Sequence, residues 1–101
     1  MDRIAMLISK LVGTRDTLAK YKPADLGKPP MRAFAEDYNR AREIALKESP
    51  HIADFAPPAL EIKEGTGLII GPWISGTYLD ILTYSEQLIR LVRSRDSSAG
   101  H

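Results

Sequence analysis

Apolar residues recur at helical spacing in three separated stretches of the chain. In the first, Ile4, Leu7, Ile8, Leu11 and Leu18 fall on one stripe, which predicts a helix over 3–20. Asp2 stands where an N-cap acid is favoured by both the free amides and the helix dipole. Gly13 interrupts the stretch at a cost of about 1 kcal/mol relative to alanine, which marks a weak point or a close helix contact. Lys20, Lys22 and Pro23 form a stop signal.

Residues 21–30, with Pro23, Gly27, Pro29 and Pro30, read as a loop, Pro30 being suited to the first turn of the next helix. That helix is expected over 31–47, with Phe34, Tyr38, Ala41, Ile44 and Ala45 facing inward. Ser49-Pro50 then predicts a capped single turn, after which Ile52 and Phe55 can plug the end of the core.

Residues 59–63 alternate apolar and polar, and Leu68-Ile69-Ile70 follows a Gly65-Thr66-Gly67 turn. Such a pattern fits a short β-hairpin over about 59–70 or an extended loop. A lone hairpin is marginal in water and would have to pack on the helices. The strongest helical pattern comes last, from Ser75 or Gly76 to Arg93, with Tyr78, Ile81, Leu82, Ser85, Leu88, Ile89 and Val92 at spacings of three and four. The first and last helices should form the main contact. The fold class is mostly α, a small three- to four-helix bundle in a single domain over 1–95, with 96–101 a polar tail expected to be disordered.

Composition narrows the function more than it defines it. Fourteen basic and thirteen acidic residues leave a net charge of +1, so no general field draws the chain to nucleic acid or to an anionic membrane. The absence of cysteine excludes disulfides, thiolate nucleophiles and cysteine-based metal sites. The longest uncharged run, 65–79, is too short for a spanning helix, which needs about 20 apolar residues, and it holds Pro72 and four glycines. No membrane partner and a cytoplasmic location are therefore expected.

Candidate chemistry is sparse. Gly65-Thr66-Gly67 with Gly71 lacks the helix that must open after a phosphate-binding loop, and the accompanying lysine is missing. His51 and His101 have no partners at metal-ligand spacing on one helix face. Carboxylate pairs such as Glu36/Asp37 and Glu61/Glu64 lie on wet faces beside basic residues, with nothing to raise one pKa. Arg95 and His101 stand at the Arg-x5-His spacing that resembles the signature of HEPN-type RNases. That family holds the motif in ordered helix, whereas here it falls in the expected tail, so nothing is carried over. No catalytic residue, cofactor or metal is expected.

Two candidate surfaces remain. Leu88, Ile89, Leu91 and Val92 make the last helix apolar around more than one face, which predicts a partner surface, most simply a symmetric homodimer. The expected interface is Trp73, Ile74, Tyr78, Leu88, Leu91 and Val92, with Trp73 buried in the monomer or between subunits. Arg90, Arg93 and Arg95 form the candidate nucleic-acid patch. The expected function is a non-catalytic interaction or oligomerisation module; the alternatives are a nucleic-acid-associated regulator and a small-ligand site near Gly65–Trp73.

Overall fold

The computed structural model describes residues 2–63 and 73–99, with side chains described as far as Ser94. It is a mostly α bundle: α1 (Arg3–Ala19), α2 (Pro23–Leu26), α3 (Arg32–Glu48), a 3-10 turn (Pro50–Ile52), β1 (Ile62–Lys63), β2 (Trp73–Ile74) and α4 (Tyr78–Ala99). Asp2 caps α1 as its sequence implies, its carboxylate accepting from the amide of Ile4 at 3.0 Å. Ile4, Leu7, Leu11 and Leu18 are buried, and α1 makes its most extensive packing with α4.

Helix directions follow from the contacts at the ends. Arg3 at the start of α1 pairs with Glu48 at the end of α3, so these two helices are antiparallel. Tyr78 opens α4 between Tyr21, just past α1, and Phe34, near the start of α3; ring centroids are 5.2 and 5.3 Å away, both edge-on. Hence α4 runs parallel to α3 and antiparallel to α1. Tyr78 is fixed further by the amide of Met31, which donates to its hydroxyl at 3.1 Å, and by its own amide, which donates to the carbonyl of Lys28.

Several local expectations are corrected. The 21–30 loop contains α2, because Pro23 sits at its first position, where a missing N–H is harmless. Pro30 precedes α3 instead of entering its first turn, leaving Met31 at the N-cap. On α3 the fully buried face is Ala35, Tyr38, Ala41 and Ala45, while Phe34 and Ile44 are half-buried at its margin. Gly13 is not a close helix contact: a Cβ added there meets nothing within 4 Å. Ile52 is buried, but Phe55 does not plug the core and stands 74% exposed.

β1 pairs antiparallel with β2, Ile62 opposite Ile74 and Lys63 opposite Trp73. The expected second strand at 68–70 lies outside the described residues, and the observed pairing moves Trp73 and Ile74 from a helix entry into the ribbon. The ribbon is tied to α3 by the chain leading into it. Tyr38 and Arg42 donate to the carbonyls of Pro58 and Pro57 at 2.8 and 2.7 Å, and Asn39 exchanges two hydrogen bonds with Leu60.

Helix α4 starts later than expected, at Tyr78. Its N-terminus is a capping box in which Asp80 accepts from the amide of Thr77 at 2.9 Å and Thr77 Oγ1 accepts from the amide of Asp80 at 3.3 Å. Gly76 lies just before it, where an added Cβ would come within 2.7 Å of Leu60 Cδ2. The α4 backbone continues past Arg93 to Ala99, into the segment expected as a tail. Among the described residues, no helix is long and apolar enough to cross a membrane.

Candidate functional site

The expected interface residues separate into two groups once the helices are packed. Leu88 and Val92 are 0% exposed and Ile74 is also buried, so all three belong to the monomer's core and offer no surface to a partner. Tyr78 is half-buried within its aromatic cluster, and Leu91 packs against the core margin. The broad apolar face of α4 therefore does not call for a second subunit: α1 covers one flank of it and α3 the other. Trp73 alone of the six is well exposed, at 53%, so of its two expected settings, the monomer's interior or a subunit interface, the first does not hold. Its strand partner Lys63 holds an ammonium 5.4 Å from the indole centroid, a cation–π contact in an exposed setting. Met31 and Leu79, also exposed, lie on the segments converging at that end of the bundle.

A second surface escaped the sequence reading. The seam between α1 and α3, on the side away from α4, is bridged at two levels. Arg3 meets Glu48 at 3.3 Å, and Lys10 meets Asp37 at 3.1 Å. Between the bridges lies an open hollow of about 420 Å3 with Met6, Leu7 and Ile44 as its apolar floor. Beyond the Lys10–Asp37 bridge a smaller hollow of about 320 Å3 is lined by Gly13, Thr14, Thr17, Phe34, Asp37 and Tyr38. Met6 is 55% exposed. The bridging charges are sorted by helix, cations on the α1 rim and anions on the α3 rim, while exposed Arg40, one turn from Asp37 and from Ile44, adds a cation to the outer face of α3. Spacings of seven (Arg3, Lys10) and eleven (Asp37, Glu48) place like charges on one edge of each helix, and that pattern was readable in the chain.

Among the described residues Tyr38 is strongly perturbed electrostatically. Burial pushes the Tyr38 phenol far above its ordinary range; nearby Arg42 pulls it down and Tyr84 raises it again. Its hydroxyl donates to Pro58, so this is a structural tyrosine, neutral at every physiological pH. Asp37, the one carboxylate lining the smaller hollow, is engaged by Lys10. Among the described residues no three His, Asp or Glu side chains gather as metal ligands do.

Arg90 and Arg93 are exposed one helical turn apart on α4. The side chain of Arg95 lies outside the described residues, so the structure places two of the three expected basic residues together. Of the Arg-x5-His spacing, the backbone is helical as far as Ala99 and His101 lies outside. Of the alternative small-ligand site near Gly65–Trp73, residues 65–72 also lie outside, which leaves Trp73 as the described part of that candidate. No protein-family model, curated protein or solved structure matches this chain.

Proposed function

We propose that the protein is a non-catalytic helical interaction module, acting in the cytoplasm by docking protein partners through apolar surface that its own fold leaves uncovered. The observation that carries this reading is the exposure of Trp73, the only tryptophan, on a ribbon anchored to α3. Tryptophan is costly to leave in water and is enriched where binding energy concentrates. The second support is the α1/α3 seam, where exposed Met6 borders an unfilled apolar hollow.

A photo-crosslinking amino acid in place of Trp73, introduced into the full chain in its source cells, tests the reading. One recurrent adduct mass, lost when the same group is placed at exposed Glu43 on α3, is expected. Equal labelling from both positions, or none from position 73, overturns it.

A second reading, a nucleic-acid-associated regulator, draws on Arg90 and Arg93, which are exposed and have no ion pair among the described residues. Phosphate contacts would give binding that falls steeply with salt, with a slope of about −0.9 per phosphate on a duplex. Absence of binding to random duplex and single strands at low salt removes this reading.

A further inference from the structure

The interaction-module reading leaves open what covers the α1/α3 seam, and the sorting of charge across that seam specifies an occupant. We propose that a second copy of this chain docks there, about a two-fold axis lying in the face and parallel to the groove. The inference rests on the module reading but uses a surface separate from Trp73.

Arg3 and Lys10 line the α1 edge, and Asp37 and Glu48 line the α3 edge, at matching levels because each cation pairs across the seam. Rotation about an axis along the groove keeps those levels and exchanges the edges. It lays α1 of one copy on α3 of the other, twice. Each Arg3 then faces Glu48 of the second copy and each Lys10 faces Asp37 of the second copy, so both layers become squares of alternating charge. The other two-fold in the same face, perpendicular to the helices, would lay α1 on α1 and bring Arg3 against Lys10. Like charges juxtaposed across an interface repel and exclude wrong arrangements. The axis along the groove also leaves every neighbouring helix pair antiparallel, the arrangement helix dipoles favour.

The apolar layer fits the same axis. Met6 and Ile44 lie between the two charged layers, and the rotation brings Met6 of each copy over Ile44 of the other, above the hollow of about 420 Å3. An unbranched thioether side chain adapts to an irregular gap of that kind. The product is a four-helix layer of α1, α3 and their symmetry mates, with α4 outside it in each copy.

Sedimentation equilibrium of the full chain measures the outcome directly. Wild type is expected to approach twice 11.2 kDa with rising concentration. Met6→Asp, at a side chain already exposed in the monomer, should keep the helical circular dichroism and weaken dimerisation by about a hundredfold or more, as loss of a central apolar contact does.

The decisive arm is a mixture. Lys10→Glu and Asp37→Lys, each alone, place two like-charge contacts in the homodimer and should be monomeric. Mixed, they form a heterodimer in which Glu at position 10 of one chain meets Lys at position 37 of the other and native Lys10 meets native Asp37. Recovery of the dimer on mixing is expected. A monomeric wild type, an undiminished Met6→Asp dimer, or no recovery on mixing each overturns the proposal. A dimer lost on substituting Trp73 but kept in Met6→Asp would overturn it while leaving the module reading intact.

Discussion

Asn39 and Leu60 hold each other by two hydrogen bonds: the side-chain amide donates to the carbonyl of Leu60 at 2.9 Å, and the amide of Leu60 donates to the side-chain oxygen at 2.8 Å. One residue of α3 thus satisfies both backbone groups of a non-helical residue whose side chain is buried. The β-ribbon has only two residues per strand and cannot stand alone. Its position therefore depends on this clamp and on the Tyr38 and Arg42 contacts beside it. Asn39→Ala leaves two partly buried backbone groups unpaired and should cost about 1–3 kcal/mol in urea unfolding. Asn39→Asp keeps the acceptor but turns a carboxylate toward the Leu60 carbonyl. It should be destabilising as well, with faster amide exchange at Leu60 and Ile62.

Tyr38 makes stability fall at alkaline pH. Because burial raises its folded pKa above the unfolded value of 10.0, the unfolded chain loses the phenolic proton first as pH rises. The unfolded state then binds fewer protons than the native state, so unfolding becomes more favourable from about pH 10 upward, while below that the contribution is complete. Urea midpoints measured from pH 8 to 11.5 should decline at the upper end. In Tyr38→Phe the curve should start lower, for want of the bond to Pro58, and decline less.

The helices were legible because their apolar stripes are long and end in strong signals: Asp2 before α1, Pro23 after it, and Ser49-Pro50 after α3. The ribbon was legible only in its first strand. Ile62 alternates with polar neighbours as a strand should, but its partner is set by how the chain returns along α3. The apolar run Leu68-Ile69-Ile70 offered a nearer alternative that local pattern could not weigh against Trp73-Ile74. The surfaces were least legible. Leu88 and Val92 look surplus to a helix with a single inward face, whereas α4 packs against both α1 and α3 and buries Ile81, Ser85, Leu88, Ile89 and Val92. Arg3, Lys10, Asp37 and Glu48 come to one seam only through the antiparallel pairing of α1 and α3, which local pattern does not give.

Two glycines make opposite predictions. Gly13 lies inside α1 with open space where a side chain would stand, so the monomer draws no benefit from its missing Cβ. Gly13→Ala should stabilise by about 1 kcal/mol, raising Tm by about 4–8 °C for a domain of this size. At Gly76 an added Cβ would lie 2.7 Å from Leu60 Cδ2 and 3.2 Å from Asp80 Oδ2, against a buried leucine and a capping carboxylate. Gly76→Ala should cost about 1–2 kcal/mol through the shift it forces. Equal effects from the two substitutions would contradict this packing.

Ser85 is fully buried on the core face of α4, and its hydroxyl finds no hydrogen-bond partner among the described residues. A hydroxyl desolvated without a bond opposes folding, and alanine fits the same space without that penalty. Ser85→Ala is therefore expected to be neutral or to stabilise by up to about 1 kcal/mol in chemical denaturation. Ser85→Val, which adds volume where helices meet, should destabilise, separating relief of the polar group from simple tolerance at the site.

Trp73 and Ile74 are adjacent on β2 but differ in what they touch: Ile74 is 8% exposed within the core cluster, while Trp73 turns its ring outward beside Lys63. Ile74→Ala should cost about 2–5 kcal/mol, as a core deletion does. Trp73→Ala should cost clearly less than Ile74→Ala, since only about half of the indole is covered and its cation–π contact is solvent-exposed. Since the chain has a single tryptophan, its fluorescence reports on this one surface. Iodide should quench it readily in the isolated protein. A partner that covers Trp73 should shift the emission to the blue and protect it from quenching, whereas dimerisation through the α1/α3 seam should leave both unchanged. If Trp73→Ala were as destabilising as Ile74→Ala, the indole would be a core element, and the interaction reading would lose its main support.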